Sequence, residues 1–307
     1  MTQCLLSMPG NERTSAAIAR AIGCESAGIA LHRFPDGESS LTVAADLADK
    51  DVAIVCTLDR PDEKLVTLLF AAELARDLGA ASVGLIAPYL AYMRQDMRFN
   101  NGESVTARYF ARLISRSFEW LVTVDPHLHR IASLESVYTI LAEAVRAAPA
   151  IGTWVRAHVE NPFLIGPDSE SRQWVSEVAQ YANAPFLVLD KVRSGDLSVS
   201  VSVLNSPSLK QCTPVIVDDI ASTAGTLIAA VHAISTGGGA KPVCLVIHAV
   251  FAGDAFASLK ATGVDQVVSC NTVTHESNAI TLDRELANAT DQVLKRFNPR
   301  RRDAGAD

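Results

Sequence analysis

The sequence predicts an α/β protein built from two doubly wound domains with mostly parallel sheets. Three observations carry this. Short apolar runs, the length of buried strands, alternate with helix-period segments along nearly the whole chain. The order of these segments around residues 3–140 echoes the order around 141–296. The 307 residues suit two domains of roughly 150 each. The expected divisions are 1–142, 143–296 and a frayed tail, 297–307.

The elements follow in order. Cys4 to Met8 is apolar, Pro9-Gly10-Asn11 is a loop, and a helix follows with Ala16, Ala17, Ile18 and Ile22 among its apolar positions. Gly28 to Phe34 and Ser39 to Val43 flank a Pro35-Asp36-Gly37 turn, which predicts a hairpin. Val52 to Leu58 is a buried strand, and Asp62 to Leu78 is a helix with Leu65, Leu68, Leu69, Ala72 and Ala75 on one face, capped by Gly79. Ser82 to Tyr89 is a strand. Pro88 to Glu103 lacks periodicity and carries two tyrosines, two arginines and several amides, a composition suited to a functional loop. Helix resumes over Ser104 to Arg116, and Trp120 to Val124 is a strand ending in Asp125-Pro126-His127.

Thr139 to His158 has a helical pattern interrupted at Pro149 and Gly152. Strands are expected at Pro162 to Gly166, Pro185 to Leu189, Leu197 to Leu204, Pro242 to Phe251 and Gln266 to Cys270. Helices are expected at Arg172 to Ala182, Asp254 to Ala261 and Thr281 to Arg296.

Composition narrows the function. Hydrophobic residues make up 49% of the chain and charged residues 20%, enough apolar material for sizeable cores. A net charge of −7 argues against a nucleic-acid or membrane-surface partner. The six cysteines are scattered, form no C-x-x-C pair and fall mostly in apolar runs, as expected of reduced core thiols. The N-terminus has no basic segment ahead of an apolar one, and no apolar run approaches the ~20 residues of a membrane span. A reducing, cytoplasmic location is expected.

The richest stretch is Val215 to Thr226, Val-Ile-Val-Asp-Asp-Ile-Ala-Ser-Thr-Ala-Gly-Thr. An apolar strand ends in Asp218 and Asp219, a small hydroxyl-bearing turn follows, and Leu227, Ile228 and Val231 begin a helix. Unpaired N–H groups at a helix start favour an anion. Ser222, Thr223 and Thr226 add hydroxyl donors, and Ala224 and Gly225 let a phosphate approach the backbone. The two carboxylates could accept hydrogen bonds from vicinal ribose hydroxyls or hold a hydrated Mg²⁺. Together these features suit a sugar phosphate.

This stretch resembles the phosphoribosyl-diphosphate (PRPP) motif shared by type I phosphoribosyltransferases and ribose-phosphate diphosphokinases, with Ser222 where many members have Asp. Other stretches, spread over roughly residues 5–290, resemble the diphosphokinases. Arg33-Phe34-Pro35-Asp36-Gly37-Glu38 is similar to a hairpin that in the family reaches an adjacent subunit. The resemblance implies that Phe34, Asp36 and Glu38 contact the adenine of ATP. Pro88-Tyr89 through Arg94-Gln95-Asp96, continuing to Glu103-Ser104-Val105-Thr106-Ala107, resembles the family's ATP loop and implies ATP contacts for Arg94 and Gln95, although Met97 departs from its pattern. Asp125-Pro126-His127 implies that His127 lies at the Mg·ATP site, with His129 close behind. Gly166-Pro167-Asp168 implies a metal role for Asp168, but Ser169-Glu170-Ser171 replaces the glycine-rich diphosphate cradle that follows in the family. Asp190-Lys191-Val192-Arg193 resembles a loop whose cations close over the reacting phosphates, which gives Lys191 and Arg193 a catalytic role.

The resemblance thus implies type I phosphoribosyltransferase-like domains and diphosphoryl transfer from Mg·ATP to ribose 5-phosphate, giving PRPP and AMP. It also implies Mg²⁺ as cofactor and a homo-oligomer, a dimer or hexamer. A phosphoribosyltransferase, a non-catalytic regulatory relative and a diphosphokinase with another sugar phosphate are the alternatives.

Overall fold

The structure, a computed structural model, describes residues 3–189 and 211–297. The chain divides into two compact units. One runs through Val145 and resumes at Asp283; the other is Arg146–Leu282.

The first unit is built on a seven-stranded sheet. Its strands are β1 (Gln3–Ser7), β2 (Glu25–Arg33), β3 (Ser39–Val43), β4 (Asp51–Val55), β5 (Ser82–Ala87), β6 (Trp120–Val124) and β7 (Leu141–Val145), in the order β3-β2-β1-β4-β5-β6-β7. Neighbours are parallel except β2 and β3, which form the expected antiparallel hairpin. β4, β5 and β6 are buried along their whole length, as an interior parallel sheet covered on both faces requires. Helices α1 (Glu12–Ile22), α2 (Pro61–Asp77) and α3 (Thr106–Ser117) form the crossovers. Gly79, at φ +87°, ends α2 with its N–H donating to Arg76 O at 2.9 Å, the left-handed stop expected there. Gly84 has a packing reason: a Cβ there would lie 1.9 Å from the Trp120 ring.

Two expectations change in this unit. The 139–158 segment is not one interrupted helix. Leu141–Val145 is strand β7, paired in parallel with β6, and the helix α4 (Ala148–His158) starts only afterwards with Pro149 in its first turn. Pro149 therefore opens the helix, where its missing N–H costs nothing. The last helix, α8 by chain order (Asp283–Phe297), falls in the second domain of the sequence division but belongs to the first unit of the structure. Its buried stripe, including Leu286, Thr290, Val293 and Leu294, lies against α1, β6 and β7, and Arg296 pairs with Glu143 at 2.8 Å.

The second unit holds a six-stranded sheet of β8 (Pro162–Gly166), β9 (Phe186–Val188), β10 (Thr213–Ala221), β11 (Val243–Ala249), β12 (Gln266–Cys270) and β13 (Asn278–Ile280). The order is β13-β12-β11-β10-β8-β9, and every described pair is parallel. Helices α4, α5 (Arg172–Ala182), α6 (Gly225–Thr236) and α7 (Ala255–Ala261) complete it. Gly152 lets α4 approach α5, since a Cβ would sit 2.4 Å from Tyr181 Cβ. The strand order reverses between β8 and β10: the chain leaves β8 for β9 on one side and returns to β10 on the other. Open α/β sheets bind ligands at the carboxyl ends of the strands flanking such a reversal.

Candidate active site

In the second unit, the two strands at the reversal end in the residues singled out from sequence. The register Ile216↔Ile165 carries β8 into Gly166-Pro167-Asp168 beside Asp218 and Asp219 of β10. Asp219 is buried and Asp218 half-buried. Each carboxylate accepts from the next backbone N–H, Asp218 from Asp219 N at 3.0 Å and Asp219 from Ile220 N at 2.8 Å, which aims both along the strand end.

The chain then turns through Ser222 and Thr223 into α6. Ala224 is its N-cap, at φ +59°, and gives no side-chain cap. The amides of the first turn are therefore offered by a residue that cannot satisfy them, the arrangement that recruits an anion. Burial of Leu227, Ala230, Val231 and Ile234 on one face anchors the helix while its start remains accessible. Gly225 is exposed, its backbone is not left-handed, and a Cβ would meet nothing nearer than Thr223 Oγ1 at 3.8 Å. The fold does not need glycine there. Ser222 and Thr226 are half-buried and Thr223 is exposed around the same turn.

Asp168 does work the sequence did not reveal. It caps the 3-10 turn Ser169–Ser171: its Oδ1 accepts from Glu170 N at 3.0 Å and Ser171 N at 3.2 Å, while Ser171 Oγ donates to Asp168 O at 2.6 Å. The amides of Glu170 and Ser171 thus face Asp168 itself. Gly166 permits this, because a Cβ there would lie 2.5 Å from Ser171 Oγ. Both capping bonds use Oδ1, so Oδ2 takes no part in the cap, and a hard oxygen donor suits Mg²⁺. Among the described residues no group of three or more His, Cys, Asp or Glu side chains forms a ready-made metal cage.

In the first unit, the candidates gather at the carboxyl edge of the sheet. The β2–β3 turn is closed by Phe34 N on Glu38 O at 2.8 Å and tightened by Glu38 N on Asp36 Oδ1 at 3.1 Å. Gly37 supplies the positive φ, +94°. Phe34 is 43% exposed and, among the described residues, its ring has an edge contact with His32 at 4.7 Å. Such a projecting ring is suited to stacking on a planar ligand.

The 88–103 loop follows β5. Arg94 is exposed and makes no ion pair among the described residues. The Gln95 amide donates to Met97 O and Ser104 O, both at 3.4 Å, so its side chain also braces the loop. Glu103 clasps the far end: it accepts from the Asn100 side-chain amide, from Asn100 N and from Phe99 N, and these donors, the Asn100 amide first, hold its carboxyl below the usual range. Tyr92, at φ +63°, donates to Asp62; burial and that carboxylate push its phenol up to about 12. After β6, Asp125 takes φ +29° ahead of Pro126, a strained turn that presents His127, whose ring lies 6.2 Å from His129. Lys191 and Arg193 lie outside the described residues.

Two family models cover the chain: the N-terminal domain of ribose phosphate pyrophosphokinase over residues 3–117, and the phosphoribosyl transferase domain over 135–284. A ribose-phosphate pyrophosphokinase of Methanopyrus kandleri is 33% identical over 281 residues, 90% of this chain and 94% of that one. The chain belongs to the ribose-phosphate pyrophosphokinase family. A second member, from Saccharolobus solfataricus, is 32% identical over 81% of this chain and 86% of its own. The crystal structure of phosphoribosylpyrophosphate synthetase from Mycobacterium smegmatis matches with a TM-score of 0.81 at 20% identity, over 97% of this chain and 99% of that one, and shares the fold.

Within the family frame, the structure adds side chains that sequence reading missed. Asp96 pairs with Arg130, which joins the 88–103 loop to the His127 loop. At the strand reversal of the first unit, between β1 and β4, Asn11 Oδ1 accepts from Thr57 N at 2.8 Å and Lys64 Nζ donates to Thr57 O at 2.9 Å. The Asp96–Arg130 and Asn11–Thr57 pairs join segments 34 and 46 residues apart in sequence, and no local pattern announces such a pair.

Proposed function

We propose that this chain transfers the diphosphoryl group of Mg·ATP to the anomeric hydroxyl of ribose 5-phosphate, giving PRPP and AMP. The observation that carries this reading is the uncapped start of α6 beside Asp218 and Asp219 at the strand reversal, in a chain of this family. The sugar's phosphate accepts from the first-turn amides and from Ser222, Thr223 and Thr226, while the two Asp carboxylates accept from the ribose hydroxyls. Phe34, Asp36 and Glu38 hold the adenine, and Arg94 and Gln95 engage ATP. The anomeric oxygen attacks the β-phosphorus in line and AMP leaves. His127 and Asp168 are the residues that would serve Mg²⁺, and when bound the ion would supply charge neutralisation for the transferred group. Lys191 and Arg193 add cationic stabilisation as that charge is redistributed. No covalent nucleophile is required; burial pushes the Cys56 and Cys244 thiols up to about 12, far from a reactive thiolate.

A homo-oligomer accounts for the exposure of Phe34, with the hairpin serving a neighbouring copy's nucleotide. Six free cysteines suit a reducing cytoplasm, and no described helix is long and apolar enough to cross a membrane.

A second reading is a regulatory relative that binds the ligands without turnover. It is favoured by the self-capped Ser169–Ser171 turn, whose amides are already engaged. Phosphorus NMR of purified protein with Mg·ATP and ribose 5-phosphate separates the two. Equal amounts of AMP and PRPP are expected. Saturable binding of both ligands without product would overturn the catalytic reading in favour of the regulatory one.

A further inference from the structure

At the carboxyl end of the second unit's sheet lies a buried polar pair that the chemistry above leaves unused. His248, on β11, is 1% exposed and stands in register with Ile220, the residue after Asp219. Its Nδ1 lies 2.9 Å from Thr272 Oγ1, and the same hydroxyl donates to Ile247 O at 2.8 Å. A hydroxyl has one proton to give. With that proton on the Ile247 carbonyl, Thr272 must accept from His248, so the imidazole carries its hydrogen on Nδ1.

The consequence lies just past His248. Val250 N donates to His248 O at 3.0 Å, Phe251 N to Ala221 O at 2.8 Å and Ala252 N to Ser222 O at 3.0 Å. The segment following the imidazole is thus stitched to the first residues of the sugar-phosphate turn. Thr272, also buried, is anchored from its other side. Its neighbour Asn271 donates its N–H to Ile280 O at 2.9 Å and accepts from Leu282 N at 2.8 Å. A buried imidazole is costly unless hydrogen-bonded, and an apolar side chain would pack the same space without that cost. What the polar pair adds is a fixed direction for the end of β11.

We propose that His248 is a positioning residue for ribose 5-phosphate: through Thr272 it locks the end of β11, whose next residues hold Ala221 and Ser222 in place. This rests on the sugar-phosphate reading of the α6 turn. Without the lock, the turn's donors no longer converge on the phosphate, while the separately built ATP contacts are untouched.

The test compares the full-length chain with His248→Leu, His248→Asn and Thr272→Val, using steady-state kinetics and calorimetric titration with ribose 5-phosphate. KM and Kd for ribose 5-phosphate are expected to rise roughly tenfold in His248→Leu and Thr272→Val, with KM for ATP within about twofold. His248→Asn, whose amide N–H can stand in for Nδ1–H, should recover most of the affinity. The two apolar changes combined should be no worse than either alone. Should His248→Leu fail to fold, the other two variants carry the test. Unchanged ribose 5-phosphate affinity in a folded Thr272→Val protein overturns the proposal. So does a uniform loss of Tm and of both KM values in every variant, Asn included, which marks a purely structural histidine. Titration needs no turnover: a wild type that binds ribose 5-phosphate without making PRPP overturns the catalytic reading and leaves the affinity comparison to decide this one.

Discussion

The Asp96 carboxylate, its side chain only 1% exposed, accepts from both the backbone N–H and the guanidinium Nη1 of Arg130, each at 3.2 Å. This one pair holds the loop carrying Arg94 and Gln95 against the loop carrying His127, and Arg130 also lies over the Phe99 ring at 5.6 Å. The two loops follow different strands, β5 and β6, and the parallel sheet delivers both to the same edge.

Breaking this pair should therefore disturb ATP before ribose 5-phosphate. Arg130→Ala leaves Asp96 buried without its cation. A cost of about 1–3 kcal/mol is expected, at the lower end because the Arg130 side chain is 42% exposed. Urea denaturation measures it. KM for ATP should rise more than KM for ribose 5-phosphate; equal effects would detach the ion pair from the nucleotide loop.

Gly225→Ala should leave Tm unchanged, because the added Cβ meets only Thr223 Oγ1 at 3.8 Å and the backbone is not left-handed. Ribose 5-phosphate affinity should nonetheless fall on the order of tenfold, since a methyl group occupies the approach to the amides. Loss of stability with intact affinity would assign this glycine to the fold.

Asp168→Asn separates cap from charge. Asn keeps the oxygen that accepts from Glu170 and Ser171, so stability should change by less than about 0.5 kcal/mol, whereas Asp168→Ala should lose about 1 kcal/mol. The Mg²⁺ concentration for half-maximal activity should rise severalfold in both. An unaltered Mg²⁺ requirement in Asp168→Asn would leave Asp168 with the cap alone.

Burial lowers the His275 pKa below its usual 6.5, with Glu276 opposing. Nδ1 accepts from Ser277 N at 3.2 Å, which suits the neutral ring. The unfolded chain therefore binds more protons at this site between the depressed folded pKa and 6.5. Its contribution is complete above 6.5 and is lost as pH falls toward the folded pKa. His275→Gln should flatten the stability curve over that window, as followed by urea midpoints from about pH 5 to 7.5. An unchanged slope would mean that other groups set it.

Most of the fold was legible because its signals are local. Trp120–Val124, Pro162–Gly166, Arg172–Ala182 and Gln266–Cys270 have in the structure the bounds read from sequence, each being a strongly apolar or strongly periodic segment with turn residues at its ends. Leu141–Val145 misled, because Leu-Ala-Glu-Ala-Val is good helix material and becomes a strand only by pairing with β6. The short strand Asn278–Ile280 went unread for the same reason: its partner β12, not its own three residues, makes it a strand.

The sequence by itself determined the α/β alternation, the hairpin at Phe34 and the Asp218–Thr226 turn, since each is written in consecutive residues whose spacing and chemistry act over one turn of chain. Only the tertiary structure decided that α8 returns to the first unit, that Asp168 spends one oxygen capping its own turn, and that Asp96 meets Arg130 and His248 meets Thr272. All but one of these join residues distant along the chain, and the exception, Asp168, depends on which way a short turn folds back. Their energies come from burial and hydrogen-bond geometry, and those exist only after the strands have found their order.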